Sequence, residues 1–224
     1  MTDASEEQVL WPLTGEPMVH GKHPMELSFG GHSITVPLSG WWVKEANDGI
    51  VDPAAGDIAD RVLAILRARA RGLRITAVAA ADEEWGIGRS GGLPWRCPED
   101  LKHFKGRTLG GTLLMGRTTF EGLPRKLEGR TIHVVSSSGP EAFASADRAI
   151  ATLAPADLAE IIVAGGGRLY DAALPFCTHA EVTRIRGRHE CDAFMPDLAA
   201  RGWAPARTEA LTEEINIEYW ETSK

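Results

Sequence analysis

From Leu73 onward, short apolar runs return at intervals, and several end in glycine or hydroxyl residues. They read "LRITAVAAA", "GTLLMG", "RTIHVVSSS", "EIIVAGGG" and "HAEVTRIRG", with a terminal "EINIEYWETS". Runs this short and this continuously apolar fit strands covered on both faces, and the helical stretches between them ("RTTFEGL", "RLYDAAL") supply covers. The pattern restricts residues 73–224 to an α/β fold, a mostly parallel central sheet flanked by helices.

Residues 1–72 have a different texture and predict a small β-rich unit with a C-terminal helix. "MELSF" and "SITVPL" flank a glycine turn, which predicts a hairpin with Gly30 and Gly31 at its tip. In "GDIADRVLAILRARARG", Ile58, Val62, Ile65 and Leu66 fall at helical spacing, with Asp57 as cap and Gly72 as stop. The two textures meet at 72/73, so the chain divides into an extension, 1–72, and a larger domain, 73–224.

The net charge is −7, which argues against a generic nucleic-acid or anionic-membrane binder and leaves room for local basic sites that take a phosphorylated ligand. The three cysteines, Cys97, Cys177 and Cys191, are odd in number and form no Cys-x-x-Cys pair. Neither a disulfide framework nor a cysteine zinc site is expected, in keeping with a reducing cytoplasm. The acidic start "MTDASEEQVLW" lacks the basic and apolar regions of a signal peptide, and no apolar run reaches the roughly 20 residues of a membrane span.

Three strand ends carry groups suited to phosphate. Gly116, Arg117, Thr118 and Thr119 stand where one strand becomes a helix, Ser136 and Ser137 follow another, and Gly165, Gly166 and Gly167 precede a third helix. Helix starts offer unpaired N–H groups, and glycine lets a phosphate approach the backbone. Ligands of open α/β sheets bind beyond the carboxyl ends of strands, so these junctions predict one elongated phosphorylated ligand. Tight turns that merely need glycine are the alternative, and the spacing matches neither the Rossmann nor the Walker pattern.

The stretch "GIGRSGGLPWRCPEDLKHF" joins a glycine-rich loop to a helix with Pro98 in its first turn. Leu101 and Phe104 share the helix face that seeks a core, and Asp100 stands at its margin. A partly desolvated carboxylate there can grip paired N–H donors of a heterocycle. Its alternative is a first-turn acid that only complements the helix dipole. His103, His133 and His179 are isolated and are given no role.

Taken in order, these pieces resemble the dihydrofolate reductase family over residues 73–224. The matching segments are "GIG" at 86–88, "LPW" at 93–95, "PEDLKHF" at 98–104, "LLMGRTTFE" at 113–121 and "LEGR" at 127–130. "VVSSS" at 134–138, "IVAGGGRLY" at 162–170, "VTRI" at 182–185 and "CDAFMPD" at 191–197 complete the series. The resemblance implies NADPH-dependent reduction of 7,8-dihydrofolate to tetrahydrofolate. Asp100 would grip the pterin, Thr183 would hydrogen-bond that carboxylate, and Trp95 would order a nearby water and close the loop. Val78, Leu101, Phe104, Leu123, Arg125 and Tyr170 would border the substrate, and Arg130 would pair with its glutamate carboxylate. Ala80, Ile87 and Gly88 would meet the nicotinamide. Gly116, Arg117, Thr118, Thr119, Ser136 and Ser137 would surround the adenosine phosphates, with Gly165, Gly166, Gly167, Arg168 and Leu169 at the pyrophosphate.

Two departures stand out. The segment "LPRKLEGR" replaces the family's usual Gly–Arg–Pro–Leu–Pro–Gly–Arg, and Ala164 stands where a bulkier aliphatic is common, which implies a wider pocket. The extension (residues 11–71) is faintly similar to the zinc-binding N-terminal domain of MqsA-type antitoxins. Trp11, Thr14, Val43 and Ala46 occupy the four ligand positions, so no zinc is expected; an unrelated β-rich extension is the rival reading. Trp11, Phe29, Ile34, Val36, Leu38, Trp41 and Trp42 are more apolar surface than so small a unit can bury alone, which predicts docking, self-association or a protein partner. Two further functions share the pattern: the riboflavin-pathway pyrimidine reductase of the same fold, and a ligand-sensing regulatory protein.

Overall fold

The computed structural model describes residues 9–44, 48–140 and 142–222. β1 (Met18–Phe29) and β2 (His32–Val43) form a long antiparallel hairpin in which Phe29 faces His32. Gly30 and Gly31 take φ of 59° and 81°, a two-residue turn that side chains would resist. β3 (Gly49–Val51) pairs with the other edge of β2. α1 (Pro53–Ala70) follows and ends as its sequence predicts, with Gly72 at φ 101° and Leu73 N donating to Ala68 O at 3.0 Å.

The start of α1 corrects the sequence reading. Asp57 lies inside the helix, exposed, and the N-cap position belongs to Asp52. Pro53 fixes the first helical φ. The Asp52 carboxylate turns away from the helix, accepting from Ser39 Oγ at 2.6 Å and contacting His20 Nε2 at 3.0 Å. It ties the hairpin to the helix instead of capping it.

The larger sheet has the order β11–β12–β9–β4–β8–β6–β7. Its parallel members are β4 (Arg74–Ala81), β6 (Thr112–Gly116), β7 (Thr131–Val135), β8 (Glu160–Val163) and β9 (His179–Arg184). β12 (Asn216–Thr222) and β11 (Trp203–Ala210) add antiparallel at one edge. A small ribbon pairs β5 (Gly86–Gly88) with β10 (Ala193–Phe194). The covering helices are α2 (Pro98–Thr108), α3 (Arg117–Glu121), α4 (Ala146–Leu153) and α5 (Gly167–Ala173).

Side-chain alternation sorts the sheet's residues into two apolar clusters. On one face Ile75, Ala77 and Ala79 of β4, Leu114 of β6 and Ile161 and Val163 of β8 pack with Ile150 of α4 and Leu169 of α5. On the other, Val78, Leu113, Met115, Ile162 and Ala164 meet Phe104 and Leu123.

The extension joins the first cluster. Ile34, Val36, Leu38 and Trp42 of β2 and Val62, Ile65 and Leu66 of α1 are continuous with that core. Each such side chain stabilises by about 1.5–3 kcal/mol when fully buried. Arg61 Nε lies 2.6 Å from Asp147 Oδ2 on α4, and Arg71 donates to Ala154 O at 3.2 Å. The unit whose own core is too small thus completes it on the sheet's α4/α5 face. Trp11 is half-buried and Thr14 exposed, Val43 is buried, and Ala46 lies outside the described residues. Phe29 stays exposed under the Arg67 guanidinium.

Candidate active site

Cys97 is the N-cap of α2, its Sγ accepting from Asp100 N at 3.3 Å. That cap sets the first turn so that Glu99 points outward while Asp100 is only 7% exposed. Burial pushes the Asp100 carboxyl above the usual carboxylate range; a hydrogen bond from Thr183 and the nearby His103 partly oppose this. Thr183 is itself buried on β9, facing Ala80 of β4 in register. Tyr170, buried on α5, donates from its hydroxyl to Val78 O at 2.6 Å, and burial together with the Asp100 charge pushes its phenol up. The carboxylate is therefore poorly solvated, held by one hydroxyl, and able to accept further N–H donors.

Leu101 departs from expectation. It is 54% exposed and belongs to neither core cluster, whereas Phe104 and Leu123 are half-buried against Val78 and Ala164. The helix turn that Leu101 and Phe104 share opens toward solvent above the second cluster. Ala164 is buried, its N–H donating to Leu114 O at 2.9 Å.

Beyond Phe104, Arg130 is fixed by three contacts. Nε donates to Thr108 Oγ1 at 2.8 Å, Nη2 to Lys105 O at 2.9 Å and Nη1 to Glu128 O at 3.0 Å. Gly129, at φ 69°, makes the turn that brings the guanidinium to the end of α2. Arg125 is exposed on the segment before it.

On the opposite side, β5 holds Ile87, half-buried, and Gly88, paired with Ala193. Trp95 is half-buried, and its Nε1 is buried without a hydrogen-bond partner among the described residues. A buried indole N–H in that state suits a bridging water.

The phosphate-friendly groups gather at the carboxyl ends of β6, β7 and β8. Gly116 N donates to Gly165 O at 2.7 Å, which draws the two strand ends together. The Gly165–Gly166 peptide is cis and Gly165 has φ 97°. A Cβ on Gly166 would come within 2.9 Å of Thr119 Oγ1, and one on Gly167 would overlap the Phe194 carbonyl oxygen. Arg117 Nε donates to Ser136 Oγ at 3.1 Å and Nη2 to Ser138 O at 2.9 Å, across the β6/β7 gap. Thr118 and Ser137 are exposed beside it, and Arg168 is exposed at the start of α5, where the Leu169 side chain turns into the core.

Sequence reasoning missed the residues that hold these parts in place. Arg107 Nε donates to both carboxylate oxygens of Glu181 at 2.8 Å, and its Nη atoms to both of Glu160 at 2.8 Å. Although burial opposes the charge, these two acids push the Arg107 guanidinium up. This clamp fastens the end of α2 to β8 and β9 and so fixes the axis that carries Asp100. A lone arginine at a helix end gives no local signal of two partners 53 and 74 residues away.

Against known proteins, the chain matches the family model described as dihydrofolate reductase over residues 74–222. It is 37% identical over 155 residues to the dihydrofolate reductase of Neisseria gonorrhoeae, covering 66% of this chain and 94% of that one. To that of Mycobacterium tuberculosis it is 41% identical over 137 residues, covering 57% and 78%. Among solved structures it resembles the dihydrofolate reductase of Enterococcus faecalis complexed with NADP(H) and RAB-propyl, with TM-score 0.59 and 28% identity over 67% of this chain and 97% of that one. With a buried acid on α2, a glycine-lined sheet edge and a family match over residues 74–222, the chain belongs to the dihydrofolate reductase family.

Proposed function

We propose that Asp100 and the glycine-lined sheet edge form the two ends of one site, at which the enzyme carries out the family's reaction. That reaction is NADPH-dependent reduction of 7,8-dihydrofolate to 5,6,7,8-tetrahydrofolate. The observation that carries the assignment of roles is the buried Asp100 carboxyl beside Thr183, its pKa raised by desolvation. Asp100 accepts an amino N–H and a ring N–H from the pterin, and its charge raises the share of substrate protonated on the ring. Thr183 orients the carboxylate. Trp95 holds a water near the pterin and shields it from bulk solvent. Val78, Leu101, Phe104, Leu123 and Tyr170 wall the pterin and aminobenzoyl groups. Arg130, preset by Thr108, Lys105 and Glu128, meets the glutamate carboxylate as a planar fork, with Arg125 at the rim.

The chain's donor set fits NADPH. The Arg117 guanidinium, already directed at Ser136 and Ser138, suits a 2′-phosphate, with Thr118, Thr119 and Ser137 around it. Gly116, Gly165, Gly166, Gly167, Arg168 and Leu169 offer backbone that a pyrophosphate can approach. Ala80, Ile87 and Gly88 present backbone groups to the nicotinamide. NADPH, when bound, supplies the hydride; the protein contributes proximity and a dry, preset field.

The riboflavin-pathway reaction needs neither the Asp100 grip nor the Arg130 fork, so their presence favours folate. Dihydrofolate-dependent loss of NADPH absorbance by the full chain tests the reading. The reading fails if oxidation does not rise above the control lacking dihydrofolate.

A further inference from the structure

Asp82 is buried at 2% exposure and has no part in the site just described. Its Oδ1 accepts from Glu84 N at 2.9 Å and Gly86 N at 2.8 Å, and its Oδ2 from His189 N at 2.9 Å, with Cys191 Sγ at 3.7 Å. These bonds outweigh burial and hold its carboxyl below the usual range. One carboxylate thus fastens the turn before β5 to the loop before β10. Other contacts cross the same gap: Ser90 N donates to Asp192 at 2.8 Å, and Arg89 meets Glu190 at 2.7 Å. The two segments form one clasp.

Besides carrying Ile87 and Gly88 of β5, the clasp meets Trp95 through the His189 side chain. The His189 ring lies 5.1 Å from the Trp95 ring at 70°, an edge-to-face contact. Its Nδ1 is 3.7 Å from Asp82 Oδ2, too far for a hydrogen bond. Both His189 Nδ1 and Trp95 Nε1 are buried without a partner among the described residues. The imidazole is therefore placed by its own backbone bond to Asp82 and by packing, and it contributes an aromatic edge to the indole. Trp95 lies in the loop between β5 and α2, after the exposed glycines Gly91 and Gly92 and the half-buried Pro94.

We propose that His189 is a positioning residue for the reduction: its ring transmits the Asp82 clasp to Trp95 and sets where the indole stands over the pterin. The proposal rests on the reading that Trp95 borders the pterin. Small misplacements near reacting groups cost up to about a hundredfold in rate, and the lost contact is one aromatic edge, so the expected effect is smaller.

The test uses the full chain and its variants His189→Ala and His189→Phe. Single-turnover hydride transfer should fall about tenfold in His189→Ala, while NADPH affinity stays within about twofold. His189→Phe keeps the ring and loses both nitrogens, and it should recover to within about threefold of wild type. A second readout needs no ligand. The Trp95 indole N–H resonance, assigned with Trp95→Phe, should move in His189→Ala and move less in His189→Phe. Wild-type rates in His189→Ala, or a His189→Phe as impaired as His189→Ala, would overturn the proposal. If His189→Ala does not fold, His189→Phe decides alone: a wild-type-like rate and resonance support packing as the agent, and a tenfold loss refutes it. Failure of the functional reading is distinct, since the wild type itself would then oxidise no NADPH.

Discussion

Arg61 of α1 and Asp147 of α4 form a partly buried ion pair, Nε to Oδ2 at 2.6 Å, that couples the extension to the reductase. Burial resists ionisation of Asp147, while Ser145 and Arg61 hold its carboxyl below the ordinary value. A depressed carboxylate contributes stability that is present above its unfolded pKa and is lost as pH falls through its folded pKa. Arg61→Ala should therefore lower Tm at pH 7 and flatten the acid side of the stability profile. Removing one partner of a buried pair costs about 3–5 kcal/mol; this pair is only partly buried, so a loss of about 1–2 kcal/mol is expected. Thermal denaturation across pH, with Asp147→Ala completing a double-mutant cycle, measures it.

Deleting residues 1–72 should leave hydride transfer near wild type in the folded fraction, while solubility or particle mass changes. The apolar faces of α1 and β2 cover the α4/α5 side of the sheet, and Asp100 with Phe104 and Leu123 belongs to the other. Stripping that cover exposes a contiguous apolar patch. Light scattering and single-turnover kinetics on both proteins check this. Unchanged mass and solubility with lost hydride transfer would make the extension part of the active site.

Arg117→Ala should erode a preference for NADPH over NADH. The guanidinium is the charged group bridging the β6 and β7 ends, and a charge-assisted bond to phosphate contributes about 1.5–3 kcal/mol, or roughly ten- to a hundredfold in affinity. Comparing kcat/KM for both cofactors decides it. Equal efficiency in the wild type would contradict the assignment.

The purified protein should carry well below one zinc per chain, and a chelator should leave its Tm unchanged. Apolar packing of Val43 and Trp42 stands where a metal-organised hairpin would need thiolates. Elemental analysis near one zinc per chain would reverse this.

The sequence carried the sheet, the order of its helices and the paired groups at strand ends, because these follow from apolar period and local chemistry. β11 was not anticipated: in "WAPARTEA" only Trp203 is buried, so no alternation announces a strand that exists through pairing with β12. Asp57 reads as a cap because the apolar stripe from Ile58 begins beside it, whereas Pro53 and the Asp52 tie to Ser39 set the true start. Leu101 shares a helix face with Phe104 yet stays exposed, and only Phe104 packs against the second apolar cluster. Arg107 and His189 were invisible for a common reason, since their partners lie 53 to 107 residues away; Asp82 also bonds its own turn at Glu84 N and Gly86 N, but its tie to His189 spans 107 residues.

The most direct test is Asp100→Asn, read by single-turnover hydride transfer alongside NADPH binding and Tm. The amide keeps the size but loses the charge to which the proposal gives the grip on the pterin. Burial raises the Asp100 pKa, so the folded state holds its proton more tightly than the unfolded chain; stability falls as pH rises from the unfolded toward the folded pKa and stays lower above it. The account predicts hydride transfer reduced at least about a hundredfold at pH 7, NADPH affinity within about twofold of wild type, and a Tm raised by about 2–4 °C for each kcal/mol of relieved desolvation. Wild-type hydride transfer by Asp100→Asn at pH 7 would contradict it.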